Sequence, residues 1–146
     1  MATIRREIRI DRPADAVWAV VGRPEILHLW FPGIDACVME TVDGALHRTI
    51  TMGSGISMPE EIIVNDPLQR RFQYRITNPL FTHHLGMIDV IELDANSCLV
   101  VYSTDAVPDP MALVIGGATG GALDELARQF EAGEGPALDA VLAKAV

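Results

Sequence analysis

GALDELARQFEAGEGPALDAVLAKAV, residues 121–146, is the stretch that decides the fold. Leu123, Leu126, Ala127, Phe130, Gly133, Ala137, Leu138, Val141 and Leu142 recur at helical steps and make one apolar stripe. Asp124, Glu125, Arg128, Gln129, Glu131, Asp139 and Lys144 fall off the stripe, so the helix has one dry and one wet face. Gly133, Glu134, Gly135 and Pro136 interrupt it with residues poorly suited to a helix interior. The stripe keeps its phase from Phe130 to Ala137, which predicts one long helix with a kinked middle. A helix ending at Gly133, with a second one starting at Pro136, is the alternative.

The dry face needs a surface to lie on, and the middle of the chain supplies one. From Ile34 onward the pattern is of strands: residues 35–41 and 45–52 flank Val42, Asp43 and Gly44, where Asp-Gly is a hairpin signal. Gly53 and Gly55 lie in a short connection, and residues 58–65 form the next strand. Asp66 and Pro67 turn it into residues 70–77, where Phe72, Tyr74 and Ile76 alternate with Arg71, Gln73 and Arg75. Residues 83–93 and 98–107 complete the set around the turn Asp94, Ala95 and Asn96. At the start, Ile4, Arg6, Ile8 and Ile10 alternate with Thr3, Arg5, Glu7 and Arg9, a half-buried strand. Asp11 is placed to cap a helix with Pro13 near its first position, and Gly22 stops it. Pro24 to Trp30 reads as a second short helix with Ile26, Leu27 and Trp30 inward. The sum is a single α+β domain over residues 1–146, an antiparallel sheet curled round a long terminal helix.

Composition narrows the function. A chain of 146 residues that is 49% apolar supports a generous core or an apolar cavity without metal or disulfide staples. A formal charge of -9 is repelled by phosphate backbones and anionic membranes, which sets nucleic acid aside. The charged opening, Met1 to Ile10, lacks a secretory core, and the longest apolar run falls far short of the roughly 20 residues of a membrane span. The expectation is a cytoplasmic protein without a membrane span. Cys37 and Cys98 match no metal or redox spacing and read as reduced core thiols. Gly116, Gly117, Gly120 and Gly121 carry no nucleotide-loop fingerprint and read as a flexible lip.

Pro13-x-x-x-Val17-Trp18, Trp30-x-Pro32-Gly33, Arg48, the Gly53–Gly55 loop, Glu60, Asp66-Pro67 and Tyr74, in this order over nearly the whole chain, carry a resemblance. The chain resembles the START-like (SRPBCC, Bet v 1-like) superfamily, and within it the polyketide cyclase/dehydrase group. That resemblance implies a helix-grip fold, in which seven antiparallel strands wrap the C-terminal helix around a pocket for apolar or amphipathic small molecules. It does not imply one activity.

Strand alternation puts Met58, Glu60, Ile62 and Val64 on one face, which the resemblance turns inward, and sets Arg48, Ile50 and Met52 beside them. A carboxylate and a guanidinium in an apolar interior would pair. Arg48 is then either a ligand anchor or half of a structural ion pair, and Glu60 either a proton acceptor or the other half. Tyr102, with Val100 and Thr104, and Tyr74 are inward candidates whose hydroxyls need partners. Asp89 falls in register with Leu85 and Met87, inward unless a bulge intervenes. His83 and His84 leave opposite faces of one strand, so no metal site is expected. By analogy with the family, His83 sits at the pocket mouth beside the Gly53–Gly55 loop.

The leading expectation is binding of a small hydrophobic or aromatic oxygenated molecule, polyketide- or lipid-like, with no cofactor. Trp30, Met52, Met58, Tyr74, Leu85, Met87, Tyr102, Ile115 and Phe130 form the walls, and Arg48, Glu60 and Tyr102 orient the polar end. A solid, side-chain-filled interior with no volume near the roughly 300 Å³ lower end for ligand pockets would sink it. An aldol-type cyclase or dehydratase with Glu60 as base, Arg48 and Tyr102 stabilising an enolate, is one alternative. A non-catalytic partner-binding module of the chaperone-activator type is another. A homodimer would form through the outer sheet face or the terminal helix.

Overall fold

The structure, a computed structural model, describes residues 1–145; Val146 lies outside the described residues. Strand β1 (Ala2–Ile10) is followed by helix α1 (Ala14–Val21) and a 3-10 helix (Pro24–Leu29). Strands β2 (Ile34–Val42), β3 (Ala45–Met52), β4 (Ser57–Asp66), β5 (Arg71–Ile76), β6 (His83–Asp94) and β7 (Ser97–Val107) follow, then helices α2 (Asp109–Ala132) and α3 (Pro136–Ala145). The strands form one seven-stranded antiparallel sheet in the order β1-β7-β6-β5-β4-β3-β2. The α+β helix-grip architecture is therefore the one expected.

Local chemistry explains the connections. Asp43 and Gly44 adopt φ values of 51° and 82°, the left-handed pair that a tight β2–β3 hairpin needs. Register shifts between Ile34 and Ala36, Ile62 and Val64, and Glu92 and Asp94 bend the strands. The sheet curls over α2, which lies along β1 and β7. Ala122, Leu123, Leu126, Ala127 and Phe130 of α2 share one apolar core with Val17, Val20, Ile88, Val90 and Val100. Among the described residues no helix is long and apolar enough to cross a membrane.

Three local expectations are corrected. The terminal helix is two helices, because Gly133 takes a left-handed φ of 71° and closes α2 by donating its N–H to Gln129 and Phe130 carbonyls. The side chain of Gln129 then fixes the joint, its Oε1 accepting from the Ala137 N–H at 3.0 Å and its Nε2 donating to the Leu29 carbonyl at 2.9 Å. Phe130 and Ala137 are both buried, so the stripe keeps its phase while the axis turns. Gly116, Gly117, Gly120 and Gly121 are not a flexible lip but lie in the interior of α2. A Cβ at Gly116 would run into the Ile4 side chain, so glycine there lets helix and strand approach closely. Asp11 does not cap α1; Pro13 holds that position, and Asp11 accepts from Arg9 Nε at 2.9 Å.

Candidate functional site

The inner face of the sheet collects Arg48 and Ile50 from β3, Glu60 from β4, Phe72 and Tyr74 from β5, and Val100, Tyr102 and Thr104 from β7, all buried. The register sets Arg48 directly opposite Glu60 on adjacent antiparallel strands. Each is only 1% exposed. Arg48 donates from Nε to Glu60 Oε1 at 3.0 Å and from Nη2 to Oε2 at 3.3 Å, a two-pronged grip. Its Nη1 donates to the Pro24 carbonyl at 3.0 Å, and its guanidinium lies over the rings of Phe72 and Tyr74 at 5.4 and 5.3 Å.

Burial pushes the Glu60 carboxyl above its ordinary value, with Arg48 pulling the other way. Burial is the largest influence on Arg48 and would lower it, but the facing Glu60 carboxylate, together with Tyr74, Tyr102 and Cys37, leaves it above its ordinary value and the guanidinium charged. The hydroxyls of Tyr74 and Tyr102 meet at 2.6 Å. Burial raises both phenols, so both are neutral at pH 7.

Between this face and the first turns of α2 lies a cavity of about 160 Å³. The sheet side contributes Ile50, Met52, Met58, Glu60, Tyr74, Ile76 and Tyr102, and the 3-10 helix with its exit contributes Leu27, Phe31 and Ile34. Phe81 and the α2 residues Met111, Val114, Ile115 and Ala118 line its opposite side, where the exposed Val114 and Ala118 leave it partly open to solvent. Glu60, Tyr74 and Tyr102 are its polar side chains.

Of the residues expected around a pocket, the cavity brings together Met52, Met58, Glu60, Tyr74, Tyr102 and Ile115. The rest stand elsewhere. Arg48 is sealed behind Glu60 and the Tyr74 ring and does not reach the cavity wall. Trp30 and Phe130 are core residues away from it. Leu85 and Met87 point to the outer face with Asp89, because β6 turns His84, Gly86, Ile88 and Val90 inward. On that outer face Asp89 accepts from Arg71 Nε at 2.7 Å, and Met87 Sδ accepts from Gln73 Nε2 at 3.1 Å. Position 86 is glycine because the Tyr74 ring occupies the space a Cβ would take. The signal for this phase was present in the charge of Asp89, which marks its face as the wet one.

His83 is exposed and lines a different hollow of about 380 Å³ on the surface, with Arg75, Asn78, Phe81 and His84. That hollow holds neither Glu60 nor the tyrosine pair. His84 is buried, and its Nδ1 accepts from the Ile76 N–H at 3.0 Å. Leu27, Phe31, Ile34, Ile50, Ile76, Phe81, Met111, Val114 and Ala118 line the cavity without being among the expected walls, although 111, 114, 115 and 118 have the spacing of one helical stripe.

The profile of the family described as polyketide cyclase / dehydrase and lipid transport matches residues 1–132. No curated protein sequence matches the chain. Among solved structures, the protein XoxI from Bacillus cereus is 25% identical with a TM-score of 0.80, covering 89% of this chain and 96% of that one. A protein from Thermobifida fusca is 27% identical with a TM-score of 0.77, covering 89% and 93%. The Zhui aromatase/cyclase from a Streptomyces species is 19% identical with a TM-score of 0.74, also covering 89% and 93%. This last likeness speaks for the fold alone.

Proposed function

We propose, from the premise that the chain belongs to the polyketide cyclase/dehydrase and lipid transport family, that it binds a small apolar, oxygen-bearing molecule between the sheet and α2. The observation that carries this reading is the cavity itself, lined by apolar side chains except for Glu60, Tyr74 and Tyr102, all three on the sheet side. Its 160 Å³ is about half of the roughly 300 Å³ at which ordinary ligand pockets begin. It matches instead the apolar cavity of about 150 Å³ that admits benzene. The size class for the part between sheet and helix is thus a single ring, and a larger polyketide- or lipid-like molecule would extend out through the opening beside Val114 and Ala118.

The cyclase or dehydratase reading requires a Glu60 free to accept a proton. The two-pronged hold of Arg48 weighs against it, so binding is preferred to turnover. Native mass spectrometry and thermal shift against aromatic molecules graded from one ring to four test the proposal. One-ring members should stabilise the protein, and Ile115→Trp, which fills the space, should abolish the effect. A panel in which no member shifts the melting temperature would overturn the reading.

A further inference from the structure

Resting on that binding role, we infer that the cavity selects electrically neutral one-ring molecules bearing a hydrogen-bond-accepting oxygen, an aryl ketone or a phenol, and rejects carboxylates. Two counts support this, one of charges and one of protons.

The charges come first. An arginine in a ligand cavity ordinarily suggests an anionic ligand, but here Arg48 is already committed. Its Nε and Nη2 donate to Glu60, its Nη1 donates to Pro24, and its faces are covered by Phe72 and Tyr74. Glu60 is the ionic group that reaches the wall, and its charge is balanced from behind. A ligand carboxylate would lie beside a second carboxylate in an apolar cavity whose lining includes no cationic side chain to meet it. An ammonium would likewise add an unpaired charge to a site whose own charges cancel.

The protons come second. Two neutral phenols 2.6 Å apart have two hydroxyl protons between them. Whichever hydroxyl donates, the bond between them uses one proton. The accepting hydroxyl keeps its own, and no other partner for either oxygen is found among the described residues. One O–H donor therefore remains at the wall of a cavity that is otherwise apolar. A buried donor is costly to leave unmet, and an oxygen on the ligand meets it. Either tyrosine can donate to the other, so the ligand oxygen is recognised without a fixed orientation of the two hydroxyl hydrogens.

Three planar probes of the same shape separate the possibilities: α-methylstyrene without oxygen, acetophenone with a neutral oxygen, and benzoate with a charge. Dissociation constants measured by titration calorimetry at pH 7.5 should favour acetophenone over α-methylstyrene by about tenfold. Benzoate should bind at least about 100-fold more weakly than acetophenone. Tyr74→Phe and Tyr102→Phe singly leave one hydroxyl with a free proton and should keep the preference for acetophenone. The double variant should reduce the ratio of the two constants to about one, the loss of a single hydrogen bond. Benzoate binding as tightly as acetophenone, or a ratio near one in the unaltered protein, overturns the inference while leaving the binding role intact. Failure of all three probes overturns the binding role and the inference together. The probe series on the unaltered protein decides the matter even if the double variant does not fold.

Discussion

If Arg48 exists to balance Glu60 and not to hold a ligand, its energy should reside in the pair, and a double-mutant cycle measures that directly. Both side chains are 2% exposed, so solvent screening does not weaken the pair. Glu60→Leu leaves a buried guanidinium with only the Pro24 carbonyl and two ring faces; Arg48→Met leaves a buried carboxyl with no donor. Breaking one side of such a pair costs about 3–5 kcal/mol, whereas replacing both with apolar groups of similar volume is close to neutral. For a chain of this size each kcal/mol corresponds to roughly 2–4 °C, so each single variant should melt about 6–20 °C lower.

The double variant Arg48→Met/Glu60→Leu should recover most of the loss, giving a coupling of about 3 kcal/mol or more. Urea unfolding followed by tryptophan fluorescence, with the slope checked for constancy, is the assay. Arg48→Met carries a second signature. The lone Glu60 folds best when protonated, its folded value lying above its unfolded one, so the variant should lose stability as pH rises. Additive single effects, with a coupling below about 1 kcal/mol, would refute the claim that the pair is closed and would return Arg48 to the role of ligand anchor.

His84 sets the acid limit. Burial lowers it from 6.5 to about 4, so the unfolded chain takes up the proton first. Stability is full above about pH 6.5 and should fall by roughly 3 kcal/mol as pH drops through 4, a slope that His84→Gln should flatten in urea midpoints. Gly86→Ala pushes a methyl into the Tyr74 ring and should cost about 1–3 kcal/mol in chemical denaturation. The α2 glycines divide by what faces them. Gly117 and Gly121 look into open space, and alanine at either should raise stability by about 0.5–1 kcal/mol. Gly116→Ala, which meets Ile4, should lower the melting temperature instead. Equal effects at 116 and 117 would contradict the close approach of α2 to β1.

Much of the architecture was legible from local patterns. Alternation through residues 4–10 and 71–76, the Asp43-Gly44 turn and the stripe beginning at Leu123 each depend on a few neighbouring residues. The resulting sheet and helix therefore follow from short-range chemistry. Alternation and the family's inward face likewise put Arg48 and Glu60 on one side of adjacent strands. The break at Gly133 was ambiguous because the stripe on either side of it keeps phase whether the axis bends or not. Gly133 ends α2 in a left-handed conformation, and the Gln129 side chain, through its bonds to Leu29 and Ala137, fixes the direction α3 then takes.

What the chain alone determined, then, is which residues alternate, turn and coil, since those preferences are set within a few bonds of each side chain. Only the tertiary structure decided that the Tyr74 ring lies over Gly86, that Arg48 is spent behind Glu60, and that the space between sheet and α2 is 160 Å³. Each of these is a small difference between large packed volumes contributed by distant segments. A one-residue change of phase on one strand, or a single ring lying over a glycine, alters it without changing any local pattern.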